Sequence, residues 1–336
     1  MATARETIVC EVGTIRLNSN DRVAPFKHVD RLTGAAQARW RRALLDSDDY
    51  HARAAGLLLE SRGWDYDAVT GMPTRTRDAE LARDELVQLA AGLTDLPVYV
   101  MAVRACDPSD DGGVPGAACT RISPTTWAAM DSDNVAPWLE VAAAAHARSD
   151  RDAEFDALSH AAHAHKVDFY NDLPLAYANS DSPPETTGLE RAAFFSGLIG
   201  HVGGDGYAHG FLTSSYCTVQ AIQHSSIRQQ CEAVAELLAD QGRNTLDWSA
   251  AARIGARLGW ESERITAMRQ EILAMYRVET QSGKDPWSCE NVRALNEFAA
   301  IQSRSGEIAA ARDAIQKSGK SIAELAQEQI EFVQRE

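Results

Sequence analysis

The segment HVGGDGYAHG (201–210) holds the one cluster of side chains whose types and spacing suit chemistry. Its His201, Asp205 and His209 recur at i, i+4 and i+8, so a helix would place three metal-capable groups on one face. The same segment contains four glycines, which disfavour a regular helix. We therefore expect a flexible turn between two helices, and a metal site built from these three residues is the alternative.

Four further histidines occur close together in the sequence: His146, His160, His163 and His165. His160 and His163 are i, i+3 neighbours and could share a metal ion on one helical face. The alanine-rich sequence around them is more typical of ordinary exposed or half-buried histidines. We expect no metal site among these four residues.

The sequence carries no recognisable catalytic motif. It contains no G-x-S-x-G, no H-E-x-x-H and no Walker A motif. The GGDG run at 203–206 lacks the preceding strand and following helix that a phosphate-binding glycine loop requires. We therefore predict no catalytic residue and no cofactor, and we expect a protein that is not an enzyme.

The six cysteines carry a second chemical signal, and their spacing is not that of a zinc site. Cys106 and Cys119 bracket a loop rich in Pro, Gly and Asp. A disulfide between them would stabilise the fold by roughly 3 kcal/mol in the chain-entropy treatment. Six buried thiols are the alternative interpretation. A third, long-range disulfide between Cys10 and Cys289 is a further option.

Cys217 and Cys231 can pair only if the chain turns between them. On one continuous helix their Cα atoms would lie about 21 Å apart, whereas a disulfide needs about 5.5 Å. The polar segment 223–229, with Ser225 as a helix cap, is the predicted turn. If both local disulfides form, the protein is exported, because disulfides persist in oxidising compartments.

The net charge of the chain limits the classes of binding partner that we expect. The chain has 33 basic and 48 acidic residues, and a formal net charge of -15. That sign argues against nucleic acid and against anionic membrane surfaces, both of which are bound through basic patches. It is compatible with a basic protein partner. No stretch of about 18 consecutive apolar residues occurs, so no membrane span is predicted.

The N-terminus does not read as a signal peptide. The opening residues MATARETIVCEVGTIRLNSNDR lack a basic n-region followed by an apolar h-region. Either the protein is cytosolic, or the starting Met1-Ala2 has replaced an export signal. The paired cysteines favour a periplasmic or otherwise exported protein, with a cytoplasmic location as the alternative.

The central stretch 131–165 predicts a helical hairpin. Asn134 is a good N-cap, Pro137 suits the first turn of a helix, and the SDRD run at 149–152 makes the turn. Apolar positions at helical spacing give each helix a packing face. On the first helix these are Trp138, Val141, Ala142 and Ala145, and on the second Phe155, Leu158, Ala161 and Ala162.

The rest of the chain also reads mainly as helix. Residues 5–17 predict a strand or an ordered arm, and 63–76 and 106–124 predict loops. Capping-box spacing at Thr187 and Glu190, and at Ser321 and Glu324, marks two helix starts, and two glycines act as stops: Gly306 and Gly319. Further helices are expected over 96–105, 212–223, 226–241, 245–258, 261–280, 288–304, 307–318 and 321–334.

These patterns predict an all-α fold, an irregular array of antiparallel helical hairpins that is tetratricopeptide- or solenoid-like in part. Residues 1–28 form a short N-terminal arm or strand, and 29–336 a single helical-array domain. A subdivision near 180–186 is the alternative, because the SDSPPETTG linker lies there. Trp138, Ala142 and Ala161 fall where a tetratricopeptide repeat has Trp, a small residue and Ala, but Glu154 stands where that motif prefers Ala.

Four segments resemble uncharacterised, predicted-exported α-helical proteins of γ-proteobacteria. They are PWLEVAAAAHARSDRDAEFDALSHAA, YCTVQAIQHSSIRQQCEAVAELL, ARIGARLGW and WSCENVRALNEFAAIQSRSGEIAAARDAI. That group has the same Asn-x-x-x-Trp-Leu hairpin and similarly paired cysteines. The resemblance spans roughly residues 40–60 and 80–330. It implies export and disulfides, and it brings no activity or catalytic residue.

Three hypotheses for function follow. The first is an exported, non-enzymatic protein-binding module, with an immunity or inhibitor protein against a secreted antibacterial effector or toxin as a specific case. The second is a metal-binding protein or metal-dependent hydrolase that uses His201, Asp205 and His209. The third is a structural scaffold or homo-oligomer without a ligand.

Overall fold

The structure is a computed structural model, and it confirms the all-α fold. It describes residues 5–17, 24–62, 64–66, 73–106, 116–202, 207–279 and 285–335. Sixteen α-helices and two antiparallel two-stranded sheets lie within those ranges.

The helix bounds match most of the predicted segments. In chain order the helices are α1 Ala24–Leu45, α2 Tyr50–Ser61, α3 Arg77–Gly92, α4 Leu96–Ala105, α5 Pro124–Met130, α6 Val135–Ala147, α7 Arg151–His163, α8 Leu173–Ser180, α9 Gly188–Val202, α10 Tyr207–Phe211, α11 Ser225–Gln241, α12 Thr245–Leu258, α13 Ser262–Glu279, α14 Cys289–Ser305, α15 Glu307–Ser318 and α16 Ile322–Arg335. The strands are β1 Arg5–Val9, β2 Gly13–Leu17, β3 Trp64–Tyr66 and β4 Pro73–Arg75. Both predicted capping boxes and both glycine stops are present, and Gly306 and Gly319 have φ of 89° and 67°.

The predicted central hairpin is formed by α6 and α7. The side chain of Asn134 accepts a hydrogen bond from the Ala136 N–H, as an N-cap does. Ala142, Ala145 and Ala161 are fully buried, so the two helix backbones approach closely. The interpretation of the second helix needs one correction, because Phe155 is exposed and Glu154 is buried in its place.

The buried position of Glu154 depends on its partners. The carboxylate accepts hydrogen bonds from the Arg151 guanidinium at 3.0 Å and the His146 ring at 3.2 Å. A buried charge is tolerated when it is paired in this way. The helix therefore turns Glu154, Ala157, Leu158 and Ala161 inward and leaves Phe155 at the surface.

Two other predictions were wrong in part. The 63–76 segment was expected to be a loop, yet β3 and β4 pair within it, with Trp64 opposite Arg75. The 212–223 segment was expected to be one helix. It is instead a π-helical turn at Leu212–Tyr216 followed by a 3-10 turn at Ala221–Gln223.

All six cysteines lie in three pairs at bonding distance. Cys106 and Cys119 have Cα atoms 5.5 Å apart, Cys217 and Cys231 5.8 Å, and Cys10 and Cys289 4.5 Å. The chain turns between Cys217 and Cys231, as their spacing required. The turn comes earlier than predicted, however, because α11 already starts at Ser225 and its N-cap is His224.

The N-terminal arm is a β-hairpin of β1 and β2, followed by α1. Its inward face buries Thr7, Val9 and Leu17, and its outward face exposes Ile8. The arm ends earlier than residue 28, since α1 already begins at Ala24, and Pro25 fits the first turn of a helix.

The core is divided among four clusters of apolar side chains. The largest lies among α2 to α7 and α10 to α13. Smaller clusters join α1 and α2 to α8, α9 and α14, pack α12 to α16 on one another, and seat the β-hairpin on α1, α9 and α14. In the described ranges, no helix combines the length and the apolar character that crossing a membrane requires.

Candidate functional site

The segment 201–210, predicted as an interhelical turn with a metal site as the alternative, includes the end of α9 and most of α10. His201 belongs to α9 and His209 to α10, and only the backbone of His201 is described. Asp205 lies outside the described residues, so the three-residue metal site stays a prediction. In the part of the chain that the structure describes, no three His, Cys, Asp or Glu side chains are grouped to hold a metal ion.

His209 is instead engaged with a carboxylate far away in the sequence. Its Nε2 donates to Asp247 Oδ1 at 2.7 Å, and the exposed fractions of the two residues are 5% and 1%. The ring also packs on Phe169, with centroids 4.5 Å apart. The other ring nitrogen, Nδ1, is buried and has no hydrogen-bond partner among the described residues.

Asp247 also caps the start of α12, and it does so with the carboxylate oxygen that does not contact His209. Its Oδ2 accepts the backbone N–H of Arg243 and of Asn244, and the Asn244 side chain accepts the N–H of Asp247, which completes a capping box. The Asn244-x-x-Asp247 spacing could have located this cap from the sequence. The pairing with His209 could not have been found, because it joins residues 38 positions apart.

Next to this pair, Arg243 lies between two acidic side chains of the segment that leads into α8. Its guanidinium is 3.5 Å from Asp168 and 3.7 Å from Asp172. Gln302 of α14 donates to Asp172 at 3.2 Å. Burial raises the pKa of Asp172 to about 6, and the charge of Arg243 opposes that rise.

Two more carboxyl groups meet beside the start of α12. Glu307 begins α15 and accepts the Thr245 N–H at 3.1 Å. Glu279 ends α13 and hydrogen-bonds with Glu307. Burial first, and the Glu307 charge second, raise the pKa of Glu279 to about 9, and burial also raises the pKa of Glu307. Glu279 is therefore protonated at neutral pH, and its hydroxyl donates a hydrogen bond to Glu307.

We call this connected set the polar junction: Asp168, Asp172, His209, Arg243, Asp247, Glu279 and Glu307. It joins the segment before α8, the start of α12, the end of α13 and the start of α15. His209 and Asp247 are buried and the other five members are half-buried. Such an arrangement can compensate charge and share protons, and both effects hold the helix ends together.

Breaking the His209–Asp247 pair should destabilise the fold. We expect His209→Ala to lower the free energy of unfolding by about 3 kcal/mol, because a buried carboxylate then loses its partner. His160→Ala is the control, since His160 is exposed, stacks on Trp138 and lies 4.0 Å from the exposed Asp156 carboxylate, so its loss should change stability little. Urea unfolding measures both variants. If a chelator alone destabilised the wild-type protein, a bound metal rather than Asp247 would be the partner of His209.

Asn134 connects the helical hairpin to the polar junction through hydrogen bonds with the backbone of Asp168. Beyond its cap, its Nδ2 donates to Asp131 at 2.8 Å and to the Asp168 carbonyl at 2.7 Å, and its Oδ1 accepts the Asp168 N–H. The Lys166 Nζ donates to the Tyr170 hydroxyl, which donates to Asp131. Tyr170 has a φ of 57°, so this segment is held in a backbone conformation that non-glycine residues rarely adopt.

The remaining histidines of the 146–165 group do not converge. His146 bonds Glu154, His160 stacks on Trp138, and the His163 ring contacts the Ser159 carbonyl. His165 lies 2.8 Å from Asp133 at the surface. The shared metal site considered for His160 and His163 is therefore not formed by these contacts.

A second polar cluster, at the start of α2, was missed by sequence reasoning. His51 lies between Asp49 and Asp95, with ring nitrogens 3.3 and 3.1 Å from their carboxylates, and it stacks on Tyr177. The Tyr50 hydroxyl donates to Asp95 at 3.3 Å. Burial raises the pKa of Tyr177 to about 12. The SDD run at 47–49 predicted only a break between two helices. The cluster could not be predicted, because Asp95, the partner of His51, lies 44 residues further along the chain.

Comparisons with known proteins leave this geometry without a named counterpart. No family model, no curated protein and no solved structure matches the chain.

Proposed function

We propose that this protein is an exported, non-enzymatic binding protein that recognises another protein through a face of its helical array. The observation that carries the proposal is the pairing of all six cysteines. Disulfides persist in oxidising compartments, and their joint removal would cost roughly the whole stability of a typical domain. A fold that is held by three disulfides suits an oxidising compartment such as the periplasm or the cell exterior.

Exposed apolar side chains support a binding role. Among the described residues, seven of the twelve exposed large apolar side chains belong to two places, the β-hairpin with α1, and α16. The first group is Ile8, Val12, Phe26 and Leu32, and the second is Ile322, Ile330 and Val333. Grouped apolar residues at a surface are typical of protein contacts, and helical arrays present extended surfaces of this kind.

An immunity or inhibitor protein against a secreted antibacterial effector is the specific case we favour. The net charge of -15 would attract a basic toxin and speed its association. Stability against an extracellular or periplasmic environment would be supplied by the disulfides.

The first test is an intact mass after alkylation of the unfolded protein, without and with prior reduction. We expect all six cysteines to resist alkylation until they are reduced, and peptide mapping to give the pairs 10–289, 106–119 and 217–231. Six thiols that react without reduction would contradict export, and the protein would then most simply be cytosolic.

The second test is binding of purified, co-encoded secreted effectors to the oxidised protein. We expect one effector to bind with an association rate that falls as salt rises. The reduced and alkylated chain serves as the control, and light scattering of the protein alone reports self-association. Absence of binding to every such effector would overturn the immunity proposal, and a ligand-free homo-oligomer would be the better description.

One observation favours a second candidate, metal binding by the 201–210 segment. The Nδ1 of His209 is buried without a partner among the described residues, and an orphaned imidazole nitrogen is a potential metal ligand. Elemental analysis of protein purified without chelator would show a stoichiometric metal that is lost in His209→Ala. Metal-free wild-type protein would remove this candidate.

A further inference from the structure

The three disulfides differ in how far they are shielded from solvent. Cys10, directly after β1, is 8% exposed, whereas its partner Cys289 is an exposed residue at the start of α14. Glu11, Val12 and Glu290, the chain neighbours of this pair, are exposed as well. The other four cysteines are buried or half-buried: Cys106, Cys119, Cys217 and Cys231. Solvent therefore reaches the Cys10–Cys289 bond more readily than the other two bonds.

The other two disulfides are protected by the largest apolar cluster of the core. Cys217 and Cys231 belong to that cluster and are 0% and 1% exposed. Cys106 packs against the same cluster, and Cys119 is 6% exposed. A reagent could reach the Cys217–Cys231 bond only if the core opened, because buried cysteines are chemically inert.

Exposure decides which sulfur of the Cys10–Cys289 bond is attacked. Thiol–disulfide exchange begins when a thiolate reaches one of the two sulfurs, and its rate depends on access to that sulfur. Because Cys289 is the exposed residue of the pair, its Sγ is the sulfur that a reagent meets first. The reagent's sulfur forms a new S–S bond with Cys289, and the Cys10–Cys289 bond breaks. Cys10 keeps the electron pair of the broken bond as a thiolate, which takes a proton from water.

The β-hairpin has other attachments that hold it when this bond is open. The Cys10 N–H donates to the Trp287 carbonyl at 2.8 Å, and the Thr7 hydroxyl donates to Asp285 at 2.8 Å. The Glu11 carboxylate accepts two backbone N–H groups at the start of α9, where the helix dipole stabilises its charge. Opening of the bond is therefore a local event, and the Cys10 sulfur stays beside the start of α14.

A Cys10 sulfur that stays in place selects the class of reagent. In the mixed disulfide of the reagent with Cys289, the Cys10 thiolate can attack Cys289 again, and it then expels a monothiol and restores the starting bond. A dithiol escapes this reversal, because its second thiolate attacks its own first sulfur and expels Cys289 as a thiolate. The reagent leaves as a disulfide, so two electrons pass from the reagent to the protein. The reverse sequence, with the oxidised reagent, closes the bond again.

We propose that the Cys10–Cys289 disulfide is a thiol-exchange site, which a dithiol opens and recloses while the fold stays in place. The Cys106–Cys119 and Cys217–Cys231 bonds stay closed in the same reaction and hold the helical array. This reactivity does not depend on the proposed protein-binding function. It adds a site of reversible covalent chemistry to a protein whose other disulfides are structural.

Limited reduction of the native, oxidised protein tests this proposal. The reagent is dithiothreitol, an uncharged dithiol, and samples are alkylated with iodoacetamide at timed points and mapped by peptide mass. We expect Cys10 and Cys289 to be alkylated at least about tenfold faster than Cys217 and Cys231. Urea below the unfolding transition should leave the rate at Cys10 and Cys289 unchanged, and circular dichroism should show that the product is folded.

Glutathione at the same thiol concentration tests the class of reagent and the sulfur that is attacked. We expect this monothiol to open far less of the Cys10–Cys289 bond than dithiothreitol does, because the Cys10 thiolate expels it. Peptide mapping after an acid quench should place the glutathione adduct on Cys289. The control is Cys106→Ser/Cys119→Ser, in which the Cys10–Cys289 bond should open at the wild-type rate.

Three results would overturn the proposal. The first is opening of the 106–119 or the 217–231 pair as early as that of the 10–289 pair. The second is a rate at Cys10 and Cys289 that rises with urea as global unfolding does, since exchange would then take place in the unfolded chain. The third is opening by glutathione that is as complete as opening by dithiothreitol, or a glutathione adduct on Cys10, since neither agrees with attack at Cys289 and reclosure by Cys10.

Discussion

Replacing Glu279 by glutamine is expected to flatten the dependence of stability on pH. In the folded chain the pKa of Glu279 is about 9, against an ordinary value of 4.5. Between those values the folded protein holds one more proton than the unfolded chain. The free energy of unfolding therefore falls by about 1.4 kcal/mol per pH unit as pH rises. This contribution is fully present below pH 4.5 and is lost as pH rises towards 9.

Glutamine imitates the protonated carboxyl group, because its amide can donate to Glu307 and carries no charge. From pH 5 to pH 8 the wild-type protein should lose more stability than Glu279→Gln does, by on the order of a few kcal/mol. Asp172, whose pKa is also raised, contributes a slope of the same sign below about pH 6. That slope is common to both proteins and cancels in the difference.

Urea unfolding at pH 5, 6.5 and 8, at constant ionic strength and without reductant, measures this difference. Glu263→Gln is the matched control on the same helix, because Glu263 is exposed and lies in the first turn of α13. Its pH profile should follow the wild type. A Glu279→Gln profile that parallels the wild type would mean that Glu279 is ionised in the folded protein.

The helical hairpins could be predicted because their signals are local. Asn134 before Pro137, and the alanines of α6 and α7, specify a capped pair of closely packed helices within one stretch of chain. The same local signals located both capping boxes and both glycine stops. These local signals could not show that the side-chain amide of Asn134 also donates a hydrogen bond to the Asp168 carbonyl, 34 residues away.

The polar junction could not be predicted because it contradicts the usual distribution of charge. Glu279, Glu307 and Asp247 are acidic residues in a strongly acidic chain, and sequence patterns place such residues at the surface. Their burial is set by three helix ends that meet only in the tertiary structure. His209 was singled out for its chemistry, and its partner Asp247 was hidden in a segment that read as an ordinary helix start.

The segment 212–223 shows how one covalent constraint overrides helical periodicity. Its apolar spacing predicted a helix, but Cys217 and Cys231 must approach to 5.8 Å between their Cα atoms. A continuous helix would hold them about 21 Å apart. The chain satisfies the disulfide with a π-helical turn and a 3-10 turn, and regular helix resumes only at α11.

The long-range disulfide gives the largest expected effect on stability. Cys10 and Cys289 are 279 positions apart, so their bond closes most of the chain into one loop. The chain-entropy treatment gives about 5.6 kcal/mol for a loop of that length, against about 3 kcal/mol for the loop closed by Cys106 and Cys119. We expect the double variant Cys10→Ser/Cys289→Ser to lose more stability than Cys106→Ser/Cys119→Ser, by about 2.6 kcal/mol.

Urea unfolding of the two double variants at one pH makes this comparison, with each variant as the control for the other. The folded hairpin should keep its place without the bond, because the contacts of Thr7 with Asp285 and of Glu11 with α9 remain. The loss then comes from the unfolded chain, which regains freedom. If the Cys10→Ser/Cys289→Ser variant were the more stable of the two, loop length would not govern these disulfides. Strain or residual structure in the unfolded chain would then decide which disulfide this fold depends on.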